Sequence, residues 1–96
     1  QKRWHAMDAA LAKHLGMLKR TESRGGTSFW LTGPEGFDAS DLALRLRAKG
    51  VLIDRGQDYY LNYNENRNFR LGFAYVPVSK LEDGVKIIAE EVRSML

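Results

Sequence analysis

The ten residues Asn68 to Pro77, NFRLGFAYVP, alternate in bulk with a period of two. Successive side chains of a strand point to opposite faces. Phe69, Leu71, Phe73 and Tyr75 therefore share one side, and Arg70, Gly72, Ala74 and Val76 share the other. A strand that is bulky and apolar on a single side has to be covered on that side, so the rest of the chain must supply a cover.

Three segments with helical spacing can do so. Trp4, Met7, Leu11, Leu15 and Leu18 form one stripe and predict a helix over 2–19, with Lys19 and Arg20 suited to its C-terminal end. Asp38 is the expected N-cap of a second helix that buries Leu42 and Leu46, runs to Lys49 and stops at Gly50. Ser79 and Glu82 have capping-box spacing and open a third, to Met95, with Leu81, Val85, Ile88, Val92 and Leu96 in line. Between them lie the strand candidates Thr27–Gly33, Val51–Asp54, Asp58–Tyr63 and Phe69–Val76, while TESRGG (Thr21 to Gly26) reads as a loop. In the strand from Thr27, Phe29 and Leu31 face one way and Ser28, Trp30 and Thr32 the other.

The order helix, strand, helix, three strands, helix predicts an α+β fold: a two-layer sandwich with three helices on one face of a mainly antiparallel three- or four-stranded sheet. Its 96 residues suffice for one domain, with a long helix over 1–20 leading into a core over 27–96. The chain starts QKRW, without Met and inside a predicted helix, so we expect a piece of a longer protein.

Charge and composition narrow the function. A net charge of +3 comes from 15 Lys and Arg set against 12 Asp and Glu, and the basic residues are scattered. A nucleic-acid module concentrates them in a stripe with aromatics between, so these read as solvated helix faces. The absence of cysteine excludes disulfides, thiolate zinc sites and thiol catalysis, and suits a cytoplasmic protein. No apolar run is long enough to span a membrane. His5 and His14, nine residues apart, fall on opposite faces of one helix and cannot share a metal there.

Arg70 stands out. Its neighbours on the same face, Gly72 and Ala74, are small, and glycine in a strand marks a place of close approach. A guanidinium offers a rigid fork of donors matched to a carboxylate. Three readings follow from the strand pattern: a ligand carboxylate, an ion pair to a carboxylate of the protein, or simple exposure at a sheet edge.

The segment NFRLGFAYVPVSKLEDGVKIIAEEV resembles the C-terminal part of fold-type I pyridoxal-phosphate aminotransferases, where a strand arginine, a short apolar run, a turn and a last helix recur. RGGTSFWLTGPEG and DLALRLRAKGVLIDRGQDYYL resemble the preceding part of the same small domain. Within that family, GGTSFW and GVLID-x-G most resemble the MocR branch of GntR-type transcription regulators, which join an N-terminal winged helix-turn-helix to an aminotransferase-like domain. The resemblance implies that Arg70 grips the α-carboxylate of an amino-acid-like substrate or effector. It places Gly25, Gly26 and Trp30 near the domain junction, Gly56 in a tight turn, and Tyr59 and Tyr60 near that turn's aromatic position, with Gly72 beside the pocket. For the three aromatics, packing in a core or interface is the competing reading. Arg55 departs from the family, standing where proline is usual.

The family's Schiff-base lysine, pyridine-nitrogen aspartate and phosphate-binding residues belong to a large domain and cannot be placed here. The resemblance thus implies pyridoxal phosphate in the full-length protein, none held by this segment alone, and no catalysis by this segment alone. It implies as partners the large domain, an amino-acid-like ligand, DNA through the N-terminal module, and a second copy in a homodimer. Three functions stay open: an effector-sensing part of a MocR-type regulator, the small domain of a catalytic class I/II aminotransferase, and a free-standing α+β regulatory or dimerisation module.

Overall fold

A computed structural model describes residues 2–23, 25–55, 66–73 and 76–96. Its elements are α1 (Lys2–His14), β1 (Lys19–Glu22), β2 (Ser28–Thr32), α2 (Ala39–Ala48), β3 (Asp54–Arg55), β4 (Asn68–Gly72) and α3 (Val78–Met95). The strands form one sheet in the order β1-β2-β4-β3, every neighbouring pair antiparallel. The fold is α+β, three helices with an open four-stranded sheet.

The central pair is β2 with β4, matched over five residues from Ser28↔Gly72 to Thr32↔Asn68. On its covered face Phe29, Leu31, Phe69 and Leu71 are buried, and Phe73 follows just beyond β4. They meet Met7, Leu11, Leu15 and Leu18 of the N-terminal segment, Leu42 and Leu46 of α2, and Leu81, Val85, Ile88 and Val92 of α3 in one cluster. Full burial of a side chain of this size is worth about 1.5–3 kcal/mol, so this shared face holds the two layers together. Phe29 stacks on Phe73 at 5.9 Å and touches Trp4 at 5.7 Å, which fastens α1 to the sheet.

Several boundaries differ from the sequence expectation. α1 ends at His14, five residues short of Lys19. Gly16 follows, and a Cβ there would stand 2.9 Å from the Ala12 carbonyl. The chain turns instead, with the Leu18 amide bonding the Leu15 carbonyl, and Leu15 and Leu18 still reach the core. Lys19 to Glu22, expected as helix end and loop, form the edge strand β1. The last helix starts at Val78 with Pro77 as N-cap and no side-chain cap bond, so the Ser79–Glu82 capping box is not formed. Glu82 turns to α1, where it meets His14 at 2.8 Å and Lys13 at 3.4 Å. Strand β3 starts at Asp54 rather than Val51. The expected strand Asp58–Tyr63 lies outside the described residues.

Other junctions follow the sequence. Asp38 caps α2 by accepting the Asp41 amide at 2.9 Å. Gly50, with φ of 80°, takes the left-handed backbone that ends α2. Gly25 and Gly26 do the same in the β1–β2 turn, with φ of 92° and 68°. Arg93 of α3 donates to the His14 carbonyl at 3.2 Å, closing the exposed end of α1.

Candidate functional site

The ladders fix which side chains share the uncovered face. The pairs Thr21↔Trp30, Trp30↔Arg70 and Arg70↔Asp54 line up across all four strands. Arg70 therefore stands on a central strand between an aromatic and an acid. Its side chain keeps 33% of its surface exposed, while Phe69 and Leu71 on either side are buried under the helices. The guanidinium thus projects away from the helical layer, as the alternation predicts.

Along β4 on this face, Asn68 is engaged by Thr32 across the ladder, and Gly72 on the other side leaves open space. An alanine Cβ at Gly72 would meet nothing within 4 Å. The outcome is an open depression of about 390 Å³ lined by Ser28, Leu52, Asp54, Arg70, Gly72 and Val76, with Thr27 at its edge. Ser28 is buried beneath it and is fixed by the Ser23 hydroxyl, which also bonds the Ser28 carbonyl at 2.9 Å. Leu52 is 79% exposed and forms an apolar lip.

Asp54 is the residue that sequence reading missed. Arg70 donates to it from Nε at 3.3 Å and Nη2 at 3.0 Å, and both bonds land on the same oxygen, Oδ2. The ion pair that the strand pattern left open is therefore present. It differs from a two-oxygen fork, and with side chains 33% and 49% exposed it is a pair of the kind worth about 0.2–1 kcal/mol. Such a contact orients the guanidinium without sealing it from a ligand. The only hint in the sequence was an acid at the end of VLID, and the register that brings it opposite Arg70 is a property of the sheet.

Gly26 lies elsewhere: a Cβ on it would approach Glu22 and Trp4, on the covered side of the sheet, so its role is in the turn. Trp30 flanks Arg70 on β2. Gly56, Tyr59 and Tyr60 lie outside the described residues. Arg55 reaches back from β3 to the Ser40 hydroxyl of α2 at 3.1 Å, tying the short strand to the helical layer.

A larger depression, about 610 Å³, opens at the turn before α2. Two of its polar residues serve the fold: Asp38 caps α2 and also accepts from Asn66 Nδ2 at 2.7 Å. Among the described residues there is no group of three metal-ligating side chains. No lysine lines the Arg70 depression. Lys49 is held by Glu91 at 2.6 Å, a hydrogen bond that raises the lysine's pKa and lowers the glutamate's. Glu82 is likewise held below the ordinary carboxylate range, first by its bond to His14 and then by Lys13. No helix among the described residues is long and apolar enough to cross a membrane.

Comparison with known proteins places the chain in the fold-type I aminotransferase-like class, as a small domain. It is 43% identical over 70 residues to the HTH-type transcriptional regulator TauR of Rhodobacter capsulatus, covering 72% of this chain and 14% of TauR. It is 34% identical over 76 residues to aromatic-amino-acid aminotransferase 1 of Thermococcus litoralis, covering 79% of this chain and 18% of that enzyme. The solved kynurenine aminotransferase of Pyrococcus horikoshii, in complex with PMP and kynurenine, superposes with a TM-score of 0.87 at 33% identity over 98% of this chain and 24% of its own. The chain thus corresponds to less than a quarter of each of these proteins. No protein-family model matches it.

Proposed function

We propose that the chain is the effector-sensing small domain of a MocR/GntR-type transcription regulator, in which Arg70 takes the carboxylate of an amino-acid-like ligand. The observation that carries the ligand reading is Arg70 itself, aimed from the open face of a rigid central strand into a depression kept shallow by Gly72. Support for the regulator reading is the 43% identity to TauR, higher than that to the aminotransferase.

Pyridoxal phosphate would be held by a companion large domain, because no lysine lines the Arg70 depression and two of the lysines are engaged in ion pairs. The cofactor would supply the electron-withdrawing group that reacts with the ligand's amine. This chain's part is to orient the ligand by a charge-assisted pair and to carry Arg70 toward the large domain as the two close. That closure would shift attached DNA-binding modules in a homodimer.

The second reading, the small domain of a working aminotransferase, is favoured by the similarity to the archaeal enzymes and uses the same arginine. A winged helix-turn-helix upstream of the large domain separates the two. The test of the shared claim is Arg70→Ala in the full-length protein, titrated with carboxylate-bearing amines. Affinity should fall about tenfold or more while the cofactor's absorbance is retained, a loss typical of a charge-assisted bond. Unchanged affinity removes Arg70 from the site.

A further inference from the structure

We propose that Asp54 is a specificity-determining residue of the Arg70 site, which selects ligands with a single carboxylate and turns away those with a second anionic group. The inference rests on the reading of Arg70 as a carboxylate receptor and goes beyond it by naming the ligand's charge class. Asp54 and Arg70 are opposite one another in the β3–β4 ladder, so their proximity is set by backbone pairing rather than by a chance rotamer. Both line the same depression, and Oδ2 already accepts from two nitrogens of the guanidinium.

A ligand carboxylate that binds Arg70 must share that guanidinium with Asp54. Of these three groups one is positive and two are negative. A further carboxylate on the ligand adds another negative charge on the side of Asp54, where like charges repel appreciably even near a protein surface. Among the described residues no charged side chain other than Arg70 and Asp54 lines the depression, the rest being Thr27, Ser28, Leu52, Gly72 and Val76. An ammonium group beside the carboxylate would instead be attracted by Asp54. The geometry therefore fits a zwitterion of zero net charge or a simple monoanion.

The experiment uses propionate and succinate, which differ by a second carboxylate and carry no amine to react with a cofactor. Each is titrated into the full-length protein at low ionic strength, with binding read by calorimetry or by displacement of the melting temperature. The wild type should prefer propionate, and Asp54→Asn should shift the ratio of affinities toward succinate by about tenfold. Asp54→Ser, which cannot offer an amide to the ligand, should shift it the same way, and Asp54→Glu should restore the preference. An unchanged ratio in both neutral variants, with their melting intact, overturns the proposal. Arg70→Ala separates the two claims. Binding that depends on Arg70 with a ratio indifferent to Asp54 removes only the role of Asp54. Binding indifferent to Arg70, or no saturable propionate binding at all, removes the carboxylate receptor itself.

Discussion

Phe73→Ala tests the assignment of sheet faces most directly. Phe73 is 1% exposed, follows the last residue of β4 and belongs to the core cluster that the covered face shares with the helices. Truncating a buried phenylalanine costs about 3–5 kcal/mol through lost transfer energy and the cavity left behind. Roughly 0.5–1.5 kcal/mol of that belongs to the stack with Phe29, and a double-mutant cycle with Phe29→Ala isolates it. A domain of this size has about 5–15 kcal/mol in total, so roughly a fifth or more of the stability is at stake. With a urea dependence of about 1–3 kcal/mol per molar, the midpoint should fall by at least about 1 M. Tryptophan fluorescence can follow it, since Trp4 packs on Phe29, the partner of Phe73. Leu52→Ala, at a site 79% exposed, is the control and should change stability by no more than about 0.5 kcal/mol. A midpoint moved by less than the control, with the slope unchanged, would mean that Phe73 faces solvent and Arg70 the core.

Gly33→Ala should destabilise by about 1–3 kcal/mol, because the new methyl would stand 2.4 Å from the Phe37 ring, which is itself buried. An unchanged melting temperature would show that Phe37 moves aside without cost. The Lys49–Glu91 bond gives a pH signature. Its folded-state glutamate titrates below the ordinary value of 4.5, so the stabilisation is present above that value and is lost as the pH falls through the lowered one. The stability difference between wild type and Glu91→Gln should therefore be flat around neutrality and vanish in acid; a difference that persists at the acid end refutes the pairing. On the alkaline side the raised pKa of Lys49 keeps its share until the pH rises above 10.5 and through the higher folded value.

What the sequence made legible were features that a segment carries within itself. The stripe of Leu81, Val85, Ile88 and Val92 names α3 and its buried face, and the alternation of Phe69 with Arg70 names both faces of β4. What it hid depends on a neighbour. The segment Lys19-Arg20-Thr21-Glu22 has no apolar alternation and is a strand because β2 offers it a ladder. Ser79 and Glu82 have the spacing of a cap, but Lys13 and His14 compete for the glutamate and the helix is capped two residues earlier, at Pro77. Asp54 is an unremarked acid until register sets it against Arg70. Each miss is an interaction between distant segments winning over a local preference.

The two margins of the sheet bear on solubility. Among the described residues one margin is β1, spelled by a lysine, an arginine, a threonine and a glutamate, and the other is β3, two residues long. Exposed strand margins invite pairing with another chain, and charge and brevity are the means by which proteins blunt them. On one side a docking strand would have to lie beside charged side chains, and on the other it would find a rung or two to grip. Replacing Lys19 and Thr21 with valine would turn the first margin into a template for fibril growth while leaving the interior untouched.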